Sequence, residues 1–204
     1  MKKNTIAKDT VRITLITLVA GFALGLVNEI TKEPIAQQEA KAKAEACKAV
    51  FADADDFAAI EDLSGAADAL ESAGLTGKAD VNEAHEAKKG GETVGYVITV
   101  TDHEGYGGDI DISVGIREDG TVTGIEMLSI SETAGLGMKA KEADFKDQFK
   151  DKNVEKFTYT KTGESGDDMI DAISGATITT NAVTNAVDSA LVYFQNELGG
   201  GSNE

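Results

Sequence analysis

Residues Ile13 to Val27 form an unbroken uncharged run, and Lys2, Lys3, Lys8 and Arg12 precede it. An apolar segment of this kind must leave water, and a bilayer is where a basic-flanked one goes. A full span takes about 20 residues at a rise of 1.5 Å each. The run is shorter, so Thr10, Val11 and Ile30 extend it, with Arg12 snorkelling toward the headgroups. A cleaved signal peptide has the same opening pattern, but Asn28, Glu29 and Ile30 follow directly and leave no small-x-small cleavage site. The segment therefore reads as an uncleaved, single-pass anchor in the cell membrane. Its basic cluster belongs in the cytoplasm and the rest of the chain on the extracytoplasmic side.

That remainder is strongly acidic. The 204 residues include 36 acidic and 19 basic side chains, a net charge of −17. With the two acidic and four basic residues of 1–30 set aside, 34 acidic and 15 basic residues remain. Such a surface does not hold nucleic acid through its phosphates. Cys47 is the single cysteine, which excludes an intramolecular disulfide, and no CxxC, CxxH or HExxH spacing offers a zinc or iron–sulfur site. No metal is expected, and any redox chemistry falls to an organic cofactor. Cys47 itself reads as a small packing residue.

Four divisions follow: anchor and cytoplasmic stub 1–30, a juxtamembrane helix and acidic helical segment 31–92, a mixed domain 93–198, and a tail 199–204. Pro34 to Phe51 is rich in Ala, Glu, Gln and Lys, and Pro34 suits a first helical turn. Ala52 to Gly77 is acidic but lacks the spacing of a calcium loop, so it reads as a solvated face. From Thr93 the period becomes two. Val94–Thr101 and Ile110–Ile116 read as strands joined by DHEGYGGD, and the turn EDGT leads into a third strand, Val122–Ile130. Ala140–Lys150 suits an amphipathic helix through Phe145 and Phe149, and Lys156–Lys161 another strand. Val183, Val187, Leu191, Phe194 and Leu198 share one helical face from about Thr180, closed by Gly199–Gly201. An antiparallel sheet flanked by helices makes the domain α+β. His85 and His103 lack partners at ligand spacing and read as surface residues.

Two loops carry candidate chemistry. In SETAGLGMK, residues 131–139, Gly135 and Gly137 let backbone amides approach a ligand, although such a strand-to-helix loop is also a routine connection. In DAISGATITT, residues 171–180, Ser174, Thr177, Thr179 and Thr180 gather at the start of the final helix, where unpaired N–H groups and the positive dipole end favour a phosphate. The same hydroxyls could instead be helix caps.

The string Asp171-Ala172-Ile173-Ser174-Gly175-Ala176-Thr177 resembles the flavinylation motif of bacterial FMN-binding domains. In that family the final threonine carries FMN through a phosphoester made by a dedicated flavin transferase. The segment GYGGDIDISVGIREDGTVTGIEMLSISETAGLG is similar to the same domain, with Ala134 where the family usually has Pro. With one N-terminal span, the pattern resembles the G-subunit family of Rnf electron-transport complexes. A related domain occurs in the C subunits of sodium-translocating NADH:quinone reductases. The resemblance covers Val94–Leu198 closely and the anchor in kind, and leaves 52–89 unmatched.

The resemblance implies covalent FMN on Thr177, with Ser174, Gly175, Ala176, Thr179 and Thr180 around its phosphate. It also implies Glu132, Thr133, Gly135, Leu136 and Gly137 along the flavin, with Asp171 in the modification motif. Lys139 is a candidate for stabilising a reduced, anionic flavin, and equally a solvated lysine. The implied partners are the flavin transferase and the other membrane subunits of a ferredoxin:NAD oxidoreductase that moves ions. The chain itself would relay electrons without turning over a substrate alone. No acidic residue lies in the apolar run to carry an ion. The alternative functions are a C-type subunit of a sodium-translocating NADH:quinone reductase, free-standing extracytoplasmic electron carriage, and, from another class, a non-redox acidic binding module.

Overall fold

Extended backbone dominates the chain between Ala79 and Ser129, and two residues with positive φ, Gly90 (61°) and Gly91 (91°), turn the first hairpin there. Only glycine takes two successive left-handed positions cheaply, and that geometry matches the twist of the flanking strands. The computed structural model describes residues 3–163 and 166–199, with side chains from residue 6 onward. Lys2 of the basic flank and residues 200–204 of the expected tail lie outside the described residues.

The first helix, α1, is Lys3–Val50, and the chain divides between Ala42 and Lys43 into two units. In the first unit the apolar run stands bare, with Leu15 at 62%, Leu24 at 72% and Phe22 at 75% exposure. It is long and apolar enough to cross a membrane. Pro34 does not open a separate helix as its position implied; it lies inside α1. The Ala, Glu, Gln and Lys residues after it are strong helix formers, and together they outweigh the one hydrogen bond a proline removes.

The second unit holds a five-stranded sheet in which every neighbouring pair is antiparallel. Its strands are β1 (Asp56–Ile60), β2 (Ala79–Lys89), β3 (Glu92–Asp102), β4 (Ile110–Arg117) and β5 (Val122–Ser129), in spatial order β1-β2-β3-β4-β5. The short helix α2 (Ala66–Ser72) connects β1 to β2. The expected acidic helical segment running to residue 92 is thus corrected: of the three elements between α1 and β3, two are strands. In isolation ADVNEAHEAKK favours a helix, but pairing with β3 and burial of Ala79, Ala84 and Ala87 override that preference. The middle strands match expectation.

Beyond β5 the chain runs through 3₁₀ turns at Gly137–Lys141 and Asp147–Phe149 around α3 (Ala143–Lys146). A single helix over 140–150 was expected, and Glu142, extended at ψ 146°, breaks it. Phe145 and Phe149 still meet edge to face, at a centroid separation of 5.7 Å, and Phe149 meets Phe157 at 5.0 Å. Strands β6 (Thr158–Thr160) and β7 (Met169–Asp171) pair in parallel and lead into α4 (Thr177–Tyr193), whose end relaxes into a π turn at Phe194–Leu198.

Alternation along β3 sorts the two cores. Ile98 and Val100 face the main core with α4, while Val97 faces a second cluster with Cys47, Val50 and Phe51 from the end of α1. Two glycines admit that helix end. A Cβ at Gly95 would meet the Phe51 ring at 2.5 Å, and one at Gly115 would meet the Val50 carbonyl at 2.6 Å. Cys47 is buried as expected, and burial raises its thiol pKa. His103 lies on the surface but between two carboxylates, Asp80 at 3.1 Å and Asp109 at 3.0 Å; His85 is half-buried and its Nδ1 has no partner.

Asp188 lies in α4 with 3% exposure, and its Oδ1 accepts the Phe157 N–H at 2.8 Å. Burial raises its pKa from 3.8 to about 7. The folded form therefore holds this proton more tightly than the unfolded chain, so stability contributed below pH 4 is lost as pH rises toward 7. Asp188→Asn keeps the acceptor and removes the titration. Urea denaturation at pH 5 and pH 8 will find a smaller loss of stability in the variant, by up to about 1.4 kcal/mol for each pH unit removed.

Candidate functional site

The turn ahead of α4 is held residue by residue. Asp171 exchanges two hydrogen bonds with the Gln148 amide: its N–H donates to Oε1 at 2.7 Å and its carbonyl accepts from Nε2 at 3.4 Å. The Ala172 N–H donates to the Thr160 carbonyl at 2.8 Å, and the Ile173 N–H to Thr180 Oγ1 at 3.0 Å. Gly175 then turns the chain at φ +77°, where side-chain-bearing residues are strained. The segment, with Ile173 and Ala176 buried and Asp171, Ser174 and Gly175 exposed, thus has one backbone path, and it ends at Thr177, the first residue of α4.

The N-cap of α4 is Ala176, with no side-chain hydrogen bond to the helix. Ser174, Thr177, Thr179 and Thr180 are therefore not caps in this fold, and the first-turn N–H groups keep their capacity for an anion. The four hydroxyls also have different fates. Thr179 and Thr180 are buried at 1% and 0% exposure, Thr177 is half-buried, and Ser174 is exposed. Thr180 Oγ1 donates to the Ala176 carbonyl at 3.0 Å while accepting from the Ile173 N–H, so its hydroxyl is engaged within the turn.

The 131–139 loop packs directly against this turn. A Cβ on Gly175 would lie 3.2 Å from Leu136 Cδ2, and one on Gly137 would lie 2.6 Å from Thr179 Oγ1 and 2.7 Å from Glu132 Oε2. Gly137 is thus required by close approach. Gly135 is required by a positive φ of 75° in the turn that reverses the loop. The Thr133 carbonyl accepts from both Leu136 (3.1 Å) and Met138 (3.2 Å), closing the loop on itself.

Between the two loops lies a cavity of about 550 Å³ lined by Glu132, Thr133, Leu136, Gly137, Gly175, Ala176, Thr177, Ile178 and Thr179, with Tyr106 from the β3–β4 connection. No Lys or Arg lines it. Ser174 and Lys139 were expected with these residues but line a second, more open depression of about 450 Å³, beside Glu142, Asp144, Gln148 and Asp171. Sequence reasoning missed Tyr106 and Ile178. Tyr106 had a signal, an aromatic residue flanked by Gly105, Gly107 and Gly108. Among the described residues, no group of three or more His, Cys, Asp or Glu side chains is placed to hold a metal.

The donor set suits FMN. The cavity volume is that of a cofactor site, its exposed walls Leu136, Ile178 and Tyr106 are apolar, and its polar end is an uncapped helix N-terminus.

The FMN-binding domain profile matches residues 105–192, and the RnfG N-terminal region matches residues 1–50. The chain is 34% identical over 186 residues to the G subunit of the Na(+)-translocating ferredoxin:NAD(+) oxidoreductase complex of Acetobacterium woodii, covering 89% of this chain and 88% of that one. It is 31% identical over 198 residues to the proton-translocating counterpart of Clostridium ljungdahlii, covering 97% and 96%. Among solved structures, the C subunit of the Na(+)-translocating NADH-quinone reductase from Parabacteroides distasonis aligns with a TM-score of 0.49 at 22% identity, over 69% of this chain and 76% of that one.

Two threonines a single helical turn apart have opposite roles here. Thr180→Val leaves the buried Ile173 N–H without an acceptor and will lower unfolding free energy by about 1–3 kcal/mol. Thr177→Val, at a half-buried position, will stay within about 0.5 kcal/mol of wild type. Denaturant unfolding of both variants distinguishes the fold-holding hydroxyl from the cavity-lining one.

Proposed function

Because the chain belongs to the family of G subunits of ion-translocating ferredoxin:NAD(+) oxidoreductase complexes, we propose that its cavity holds FMN as a phosphoester on Thr177 and that it relays electrons between other subunits of such a complex. It is a flavoprotein electron-transfer subunit and works beside partner subunits. The observation that carries the covalent reading is the half-exposed Thr177 hydroxyl at the uncapped start of α4, opening into the cavity opposite Leu136 and Gly137.

Each residue has a distinct task. The first-turn N–H groups of α4 and its dipole offset the phosphate charge without a basic side chain. Thr179 and Gly137 form the floor, Leu136 and Ile178 an apolar wall, and Glu132 and Thr133 the polar edge of the loop. Gly135 and Thr180 hold backbone shape. Burial and internal bonding disfavour Thr179 and Thr180 as attachment points, leaving Thr177. Asp171 and Ser174, exposed beside the second depression, are the part of the motif that a flavin transferase reads. Lys139 stands there too, among acidic neighbours, and acts on a reduced flavin only as a distant charge. When bound, FMN supplies one- and two-electron redox chemistry. The subunit turns over no substrate alone.

The exposed apolar run of α1 supports a single-pass anchor, and the basic residues before it support a cytoplasmic N-terminus with the FMN domain outside. A covalent tether then keeps a cofactor that the extracytoplasmic side cannot replace.

Co-expression with a flavin transferase followed by a denaturing gel tests the attachment. The wild-type band will fluoresce and the Thr177→Val band will be dark; retained fluorescence in the variant moves the linkage elsewhere. Orientation is tested with reporters fused after Glu204. A phosphatase that folds only outside the cytoplasm will be active, and a fluorescent protein that folds only inside will be dark.

A further inference from the structure

Three large apolar side chains stand exposed among the described residues of the second unit: Tyr106 at 70%, Ile178 at 52% and Leu136 at 42%. All three line the same cavity. Isolated exposed apolar residues are ordinary, but the convergence of all three on one cavity marks a binding wall. Leu136 arrives on the 131–139 loop and Ile178 on the first turn of α4. Tyr106 arrives separately, on the connection between β3 and β4.

That connection is fixed at many points while the ring at its tip stays bare. Asp102 Oδ1 accepts the Glu104 N–H at 2.8 Å, and the His103 N–H donates to the Lys78 carbonyl at 2.7 Å. The Gly107 N–H donates to Glu132 Oε1 at 3.2 Å, tying the tip to the polar edge of the cavity. The glycines allow no substitute. A Cβ on Gly105 would meet the Gly108 carbonyl at 2.2 Å, and one on Gly107 would meet the Ser131 carbonyl at 2.1 Å. A ring left 70% exposed contributes little to the core, so this pinned backbone serves what the ring faces.

We propose that Tyr106 is a flavin-stacking residue, its phenol ring covering the FMN ring system as the third wall of the cavity. The inference rests on FMN being held in this cavity through Thr177. A planar, electron-poor ring between apolar walls gains from an aromatic partner beyond the area it buries. Stacked phenol also quenches flavin emission: it donates one electron to the excited flavin, and that electron returns to leave both in their ground states. Tyr106 is therefore both a positioning residue and a native spectroscopic reporter.

The test uses the full-length chain, co-expressed with a flavin transferase and purified in detergent, as wild type, Tyr106→Leu and Tyr106→Trp. Flavin emission after denaturation reports loading; the ratio of native to denatured emission reports stacking. With equal loading, the native ratio will rise several-fold in Tyr106→Leu and return to the wild-type value or below in Tyr106→Trp. A Tyr106→Leu variant that loses flavin but melts like wild type also supports the proposal, because the ring then holds the cofactor and not the fold. An unchanged native ratio at equal loading overturns it, as does a Tyr106→Leu variant that loses flavin and thermal stability together. Wild type that is dark after denaturation refutes the Thr177 attachment, and this proposal falls with it.

Discussion

α4 lies on the sheet through Val183, Val187 and Leu191, with Ala182, Ala186 and Ala190 beside them, all fully buried. The small side chains bring the helix close; the larger ones fill the space over Ile98, Val100, Ile112 and Val114. Each fully buried Val or Leu contributes about 1.5–3 kcal/mol, so this contact is far stronger than any hydrogen bond in the loops above it. The rest of the site depends on it. With α4 held, its first turn has one position, and Gly137 can pass Thr179 only because it has no side chain. The cavity is what remains between a fixed helix start and a loop folded around the Thr133 carbonyl.

In a chain of net charge −17, the cavity proposed for an anionic cofactor has no lysine or arginine in its wall. The dipole end and free N–H groups of α4 supply the positive potential locally, and they persist because Ala176 offers no capping side chain. The covalent bond to Thr177 proposed above would add retention and leave the surrounding groups to orient the ring. The acidic surface is then free to keep the domain soluble and off an anionic membrane.

Much of this was legible in the chain. The strands from 94 to 129 announce themselves by β-branched alternation and by Asp-Gly at the turn, signals that pairing reinforces. The anchor is equally plain. The 56–60 and 79–89 strands were not legible: Ala, Glu and Lys in 79–89 favour helix and only its hydrogen-bond ladder with β3 outweighs that, while 56–60 pairs in turn with 79–89. Nor was the helix through Pro34, since a local rule for a first-turn proline cannot weigh the helix formers on both sides.

At the site, residue types and their order along the chain determined which loops matter and which threonine ends the motif. Tertiary structure alone decided the division of labour within them. Thr180 turns inward to serve Ile173, Ser174 and Lys139 fall on the far side of the turn, and Tyr106 comes in from a connection some seventy residues upstream of Thr177. The reason is physical. Chemistry and periodicity are properties of short stretches of sequence. Which hydroxyl faces a cavity depends on how a helix, a hairpin and a glycine-bearing loop exclude one another in space.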